Sequence, residues 1–254
     1  MMDMWFFKKK PEYGFMDIGL KTDVHSHILP GVDDGSPDIG HSLKIISGLR
    51  ELGIRRLTFT PHVSRSIFKN PASDLREHFS RFKEQIPADF SGLELHLAAE
   101  YMIDEFFDET DERLLFPDGH ILIEMSYYER SRTIRETVYK LYMEGLRPVL
   151  AHPERYVFYQ RVFDKKKGIE ELKTLKDMGC QLQLNVLSLT GAYGKKSLDV
   201  VRWLLDNRMY DFIGTDIHSA HQTGHYNGFK VNSAQMDRLC ELAYNNDKLY
   251  EKQI

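Results

Sequence analysis

Only two cysteines, Cys180 and Cys240, occur in 254 residues, and no C-x-x-C spacing joins them. That excludes a disulfide framework and points to a reducing compartment. Long apolar runs are missing too: nothing approaches the ~20 residues needed to cross a bilayer. The apolar head Met4-Trp5-Phe6-Phe7 is too short for a signal sequence, and Lys8-Lys9-Lys10 follow it where they should precede it. The head reads as a loose tail or a packed strap, and the expected location is cytoplasmic. There is no basic excess, since 34 Lys and Arg stand against 38 Asp and Glu for a net charge of −4. Nucleic acid, which calls for a basic stripe, is therefore not an expected partner. Nor is there an internal repeat, a low-complexity tract or a Pro/Gly/Ser linker. One domain over 21–254, preceded by an extension over 1–20, is the expected organisation.

What is present is a regular alternation. Strand-like segments run Lys21–His25, Arg56–Thr60, Glu94–Ala99, His120–Glu124, Pro148–Ala151, Gln181–Val186 and Phe212–Thr215. Helical patterns lie between them. The first has Ser36 as N-cap, Pro37 at the first helical position, Leu43, Ile46 and Leu49 on one face, and Gly53 as terminator. Further helices are expected at Asp74–Ile86, Thr133–Met143, Gly168–Met178, Ser197–Leu205 and Ser233–Tyr244; Asp104–Leu115 is ambiguous. Short buried strands alternating with helices imply parallel strands joined by crossovers. Seven such units suggest a closed barrel, so the expected class is α/β, a single-domain distorted (β/α)7 TIM-like barrel.

The polar residues ending these segments carry the chemistry. His25 and His27 close the first strand two apart, so their side chains project the same way. His62 follows the second strand, Glu100 the third, Glu124 the fourth and His152 the fifth, while Asp216 and His218 close the last. Six of seven strands thus deliver His, Glu or Asp to the face on which barrel enzymes build their sites. A single His or Glu there is more often a rim residue or a cap, but coincidence at six strands is a poor explanation. Five histidines and three carboxylates exceed the needs of one tetrahedral ion and fit two or three. Nitrogen and oxygen donors without thiolate suit manganese, iron or zinc. Asp33-Asp34-Gly35 in the first loop can add a carboxylate. Arg155, three residues after His152, is placed to hold phosphate oxygens. Tyr101, Tyr127 and Tyr128 follow strand ends and are candidates to line a pocket for a flat ring. His41, His78, His96, His120, His221 and His225 read as ordinary rim or core residues, the last two in a loop near the site.

The motifs Asp23-Val24-His25-Ser26-His27, Val32-Asp33-Asp34-Gly35, Thr60-Pro61-His62, Ala99-Glu100, Ile123-Glu124, Ala151-His152-Pro153-Glu154-Arg155-Tyr156 and Thr215-Asp216-Ile217-His218 resemble the polymerase-and-histidinol-phosphatase (PHP) superfamily. Within it they are similar to the manganese-dependent protein-tyrosine phosphatases of bacterial capsule and exopolysaccharide operons. The resemblance implies a PHP-fold barrel with three divalent ions, most often Mn2+, with Fe or Zn as the other choices. It implies His25, His27, Glu100 and Asp216 on the first ion, Glu100, Glu124 and His152 on the second, and Asp34, His62 and His218 on the third. It also implies catalytic roles for Arg155, His152 and Asp216, with Arg155 on the phosphoryl group. Relatives often carry a second arginine soon after the last His, yet Ser219–Gly228 holds none. Arg65 or a loop histidine is the expected substitute, and Tyr128 is a further expected substrate-site residue. The implied substrate is a phosphotyrosine protein, the tail of a tyrosine kinase that regulates polysaccharide export.

The implied reaction is metal-assisted hydrolysis of a phosphomonoester. A cysteine-dependent route needs an Arg six residues after the nucleophile; those positions are Val186 and Asn246. Two alternatives use the same donors: a phosphatase for histidinol phosphate or a sugar phosphate, and a non-catalytic metal-binding regulator.

Overall fold

The computed structural model describes residues 12–105, 107–109, 112–162 and 167–251. The Met4–Phe7 head and the three lysines after it lie outside the described residues. Nine short strands and seven helices are found among those described: β1 (Thr22–Asp23), α1 (Ile39–Glu51), β2 (Arg56–Phe59), β3 (His62–Val63), α2 (Ala72–Glu84), β4 (Glu94–Leu97), β5 (Glu100–Met102), β6 (His120–Glu124), α3 (Ile134–Met143), β7 (Arg147–Ala151), α4 (Val157–Val162), α5 (Lys167–Asp177), β8 (Gln181–Asn185), α6 (Lys195–Asp206), β9 (Phe212–Gly214) and α7 (Ser233–Lys248). All ladders are parallel.

The ladders fall into two sheets, β1-β2-β4 and β3-β5-β6-β7-β8-β9. The parallel α/β reading of the sequence is observed, whereas one continuous closed ladder is not detected. The division has a local cause. The expected second strand breaks at Thr60-Pro61, where proline has no N–H to give a ladder, and the third breaks in step at Ala98-Ala99. Registers on either side, Phe59 with Leu97 and His62 with Glu100, show both strands bending together. Single bonds span the gap: Thr60 N donates to Ser26 O (2.9 Å), Ala98 N to Phe59 O (2.9 Å) and Glu100 N to Pro61 O (3.1 Å). Across the other margin, Asp216 N donates to Ser26's neighbour His25 at its carbonyl (2.7 Å) and His27 N to Ile217 O (2.9 Å). Buried Asn246 of α7 bonds β1 and β9 together, giving Nδ2 to Thr22 O (2.9 Å) and Ile213 O (2.6 Å) and taking Ile213 N on Oδ1 (3.2 Å).

Alternation along the strands sorts the core in two. Ile121, Ile123, Leu150, Leu182, Leu184 and Ile213 face the helices in the main cluster. Val24, Ala98, Leu122, Val149, Ala151 and Phe212 form an inner cluster with Phe116 and Leu249. Leu122 and Glu124 share a face of β6, so the pleat carries that carboxylate to the top of the inner row.

Helix positions follow the apolar spacing, but the bounds differ: α2 and α6 each start two residues early, α7 runs on to Lys248, and α4 was not expected. α1 begins at Ile39 and is capped by Asp38, whose Oδ1 accepts from His41 N at 2.9 Å. A carboxylate both accepts that bond and complements the helix dipole. Ser36 instead donates to Asp38 O and accepts from Ser42. Among its described residues, the ambiguous Asp104–Leu115 segment holds a short turn, Phe107–Glu109. Residues 12–20 pack on the body: Tyr13 bridges Val231, and Phe15 lies 4.4 Å from Tyr226 between ring centroids. Among the described residues, no helix is long and apolar enough to cross a membrane.

Candidate metal centre

Strand ends β1, β3, β5, β6, β7 and β9 converge their polar side chains at one mouth. The tightest group joins His25, His27, Glu100 and Asp216, all fully buried. His25 Nε2 is 3.2 Å from His27 Nε2, 3.1 Å from Glu100 Oε2 and 3.3 Å from Asp216 Oδ1. His27 Nε2 is 3.3 Å from each carboxylate oxygen. Ligands about 2.0–2.1 Å from a tetrahedral cation stand about 3.3 Å apart along the edges, so these separations are those of a coordination shell.

Two further groups share members with the first. His62 Nδ1 lies 2.9 Å from Glu124 Oε1 and 3.3 Å from Glu100 Oε2. His62 Nε2 lies 3.4 Å from Asp34 Oδ1, which is 3.6 Å from His218 Nε2. His218 stacks on His27 with centroids 4.0 Å apart. His152 Nε2 approaches the other oxygen of Glu100 at 3.0 Å. All nine candidate donors are thus brought together, but His62, and not His152, sits within the Glu100–Glu124 group.

The imidazoles are held for ligation. His25 Nδ1 donates to Gln183 Oε1 (2.9 Å), His27 Nδ1 to Asp33 Oδ2 (2.8 Å) and His218 Nδ1 to Asp216 O (2.9 Å). Each bond orients its ring with Nε2 aimed inward, the atom that a metal-ligating histidine held in this way offers. Asp33 is itself steadied by Gly35 N and His62 N. His152 and Asp216 adopt left-handed backbone, φ 34° and 51°, which costs roughly 1–3 kcal/mol per residue and is concentrated at functional sites.

The electrostatics show buried carboxylates that draw positive charge to themselves. Burial alone pushes the His25 imidazole down, but Glu100 and Asp216 outweigh it and lift it to about 9. His27 is lifted well above its ordinary value, against its own burial, by Asp216, Asp33 and Glu100. Burial would raise Glu100 and Asp216, yet the facing imidazoles, and for Asp216 also Arg155, hold both well below the carboxylate range. Glu100 Oε2, Glu124 Oε1, His62 Nδ1 and His152 Nδ1 are buried without a hydrogen-bond partner, and buried polar atoms seldom stay unpaired. Cations would satisfy the first three, and the all-nitrogen-and-oxygen donor set fits hard or borderline divalent ions.

Arg155 donates through Nη1 to Asp216 Oδ2, leaving Oδ1 to the His25–His27 pair. Its neighbour Glu154 is not its partner: that carboxylate is buried and accepts from Asn185 N, Ser188 Oγ and Tyr210 OH. Arg65 is exposed and lines a cavity of about 670 Å³ with Phe68, Tyr101 and Met102; Phe68 stacks on His62 at 5.2 Å. Tyr128 turns outward, 78 % exposed, whereas Tyr127 packs against His152 and Arg155. Tyr101 is core, its hydroxyl accepting from Leu114 N. His120 is pinned between Asp118 and Gln181, and exposed His221 and His225 face each other. Cys180 is buried with its thiol pushed up to about 12 by that burial, a poor nucleophile.

Sequence reasoning passed over Gln183, Asn185 and Tyr193. Amides and loop tyrosines carry no signature by themselves. One signal was available: Gly214 directly precedes the Thr215-Asp216 motif, and a Cβ there would lie 2.7 Å from both Gln183 Nε2 and His25 Cβ.

The family described as "Capsular polysaccharide synthesis, CpsB/CapC" matches residues 21–226. The chain is 29 % identical over 203 residues to tyrosine-protein phosphatase YwqE of Bacillus subtilis, covering 78 % of this chain and 77 % of that one. It is 28 % identical over 206 residues to tyrosine-protein phosphatase CpsB of Streptococcus pneumoniae, covering 78 % and 82 %. A solved structure, from work on YwqE and CpsB as metal-dependent tyrosine phosphatases, superposes with a TM-score of 0.71 at 24 % identity over 91 % of this chain and 88 % of that one. That likeness fixes the fold.

Proposed function

The chain belongs to the CpsB/CapC family of capsular polysaccharide synthesis, and on that premise we propose that it is a metal-dependent phosphatase of phosphotyrosine proteins. The observation that carries the reading is the His25–His27–Glu100–Asp216 group, with donor separations of 3.1–3.3 Å. Names of relatives such as YwqE and CpsB support the substrate class. We assign three divalent ions, manganese first and iron or zinc next, to three overlapping sets. The first is His25, His27, Glu100 and Asp216; the second is Glu100 and Glu124 with His62 or His152; the third is Asp34, His62 and His218.

Bound ions would supply a hydroxide near neutral pH and polarise the phosphoryl oxygens. The rest falls to the chain's own side chains. Asp216 divides its oxygens, Oδ1 toward the imidazoles and Oδ2 toward Arg155 and Asn185, so the guanidinium is set beside the ions. From there Arg155 offers its remaining N–H groups to equatorial oxygens whose charge grows in the transition state. Glu100 uses both oxygens inside the cluster and keeps the donor sets in register. A phenol leaving group, pKa near ~10, needs little acid assistance. No cysteine takes part.

We also read the two sheets as one distorted cylinder over 21–254, with 1–20 as an extension; the Ser26–Ile217 bridge and the inner apolar cluster support this. The family's link to capsule synthesis supports a tyrosine kinase regulating polysaccharide export as the substrate's source, and a cytoplasmic location. The test is hydrolysis of a phosphotyrosine peptide beside histidinol phosphate, with manganese and with chelator. Manganese-dependent turnover that favours the peptide is expected. A preference for histidinol phosphate, or turnover surviving chelation, would overturn the assignment.

A further inference from the structure

A single ion pair with Asp216 leaves the plane of the Arg155 guanidinium free to swing. Two rings remove that freedom. Arg155 Cζ lies 4.6 Å from the ring centroid of Tyr127 and 4.1 Å from that of Tyr193. The tyrosines come from different connections, β6–α3 and β8–α6. Tyr193 is held between Gly191 and Gly194, both left-handed at φ 81° and 87°, and Gly194 N bonds Gly191 O at 2.9 Å. Asn185 Nδ2 donates to Asp216 Oδ2 at 2.8 Å and reaches the Tyr193 hydroxyl at 3.4 Å. The guanidinium and the carboxylate it pairs with are therefore steadied from the same side.

We infer that Tyr127 and Tyr193 are positioning residues that clamp the Arg155 guanidinium so that its open edge meets the phosphoryl group, an inference that rests on the phosphatase reading above. An arginine fork grips two phosphoryl oxygens only when its plane contains them. Stacking on aromatic faces sets that plane while leaving the N–H edge unspent. The clamp also accounts for a centre that manages without a second arginine after His218: one guanidinium fixed in advance loses less freedom on binding than a mobile one.

The test uses the full chain loaded with manganese and the variants Tyr193→Leu, Tyr193→Phe and Tyr127→Leu, alone and with Arg155→Lys. Readouts are p-nitrophenyl phosphate kinetics, calorimetric binding of inorganic phosphate, bound manganese and melting temperature. Both leucine variants are expected to weaken phosphate binding and raise KM about 3- to 30-fold, the span of cation–π contacts from exposed to desolvated settings, with bound manganese unchanged. Tyr193→Phe keeps the ring and should restore binding. In the Arg155→Lys background, Tyr193→Leu should add nothing. Equal losses in the Phe and Leu variants, no loss in either Leu variant, or a full further loss in the lysine background would each overturn the clamp. A wild-type protein that binds phosphate but leaves the aryl ester intact would sink the phosphatase reading alone, since the clamp is then judged on phosphate binding. Wild-type protein that binds no phosphate overturns both.

Discussion

At the scale of single residues, the centre depends as much on the atoms behind the ligands as on the ligands. His25, His27 and His218 each commit Nδ1 to a fixed acceptor and keep Nε2 for the mouth. The ligand types were legible in the sequence, because a His, Glu or Asp closing a buried strand is costly unless something compensates it. Their supports were not. Asp33 and Asp34 are adjacent and chemically alike, and only the loop's path decides which one backs His27 and which one faces His62. The same holds for Tyr127 and Tyr128, since strand parity lapses once β6 ends. Asp33→Ala should keep the fold and weaken manganese binding about 10–100-fold, the usual effect of removing a ligand's hydrogen-bond partner. Calorimetric titration checks this, and unchanged affinity would return Asp33 to a loop-forming role only.

At the scale of elements, the strand ranges were largely readable from apolar runs, with β6 matching the expected His120–Glu124 segment at both ends. The bend that splits two strands was not. Its cause is a proline in one strand and two small residues in its neighbour, a pairing visible only once the register is known. The first helix start was misplaced because Ser36 and Asp38 are both good caps, and Ser36 is already used in holding the loop to His27 O at 3.0 Å. That loop is also where glycine is obligatory: a Cβ on Gly35 would fall 2.2 Å from His27 O. Gly35→Ala must push the loop off a ligand's backbone, and overpacking of this kind costs about 1–3 kcal/mol. We expect a lower melting temperature together with weakened manganese binding. Gly92→Ala, where a Cβ meets nothing within 4 Å, should stay within about 0.5 kcal/mol of wild type in urea unfolding. Equal behaviour of the two variants would remove the steric argument.

At the scale of the whole molecule, the site exists because the first and last strands meet. Asp23 accepts from Thr215 N and Oγ1, at 2.9 and 2.5 Å, across 192 positions of chain, and Asn246 ties the same two strands from below. Sequence alone suggested that meeting through the two ligand pairs, His25 with His27 and Asp216 with His218, but no local pattern marks Asn246 as a stitch in the last turn of a helix. Asn246→Ala leaves buried backbone groups of β1 and β9 unpaired, at about 1–3 kcal/mol. Urea unfolding should report that loss, and a change below about 0.5 kcal/mol would show the strands to be held by packing alone. The central claim is that the converging donors bind divalent ions, and anomalous diffraction at the manganese edge from crystals grown with manganese tests it most directly. The account predicts peaks within the mouth, the strongest enclosed by His25, His27, Glu100 and Asp216; a map without a peak among those four residues, from protein that still hydrolyses the phosphotyrosine peptide, would contradict it.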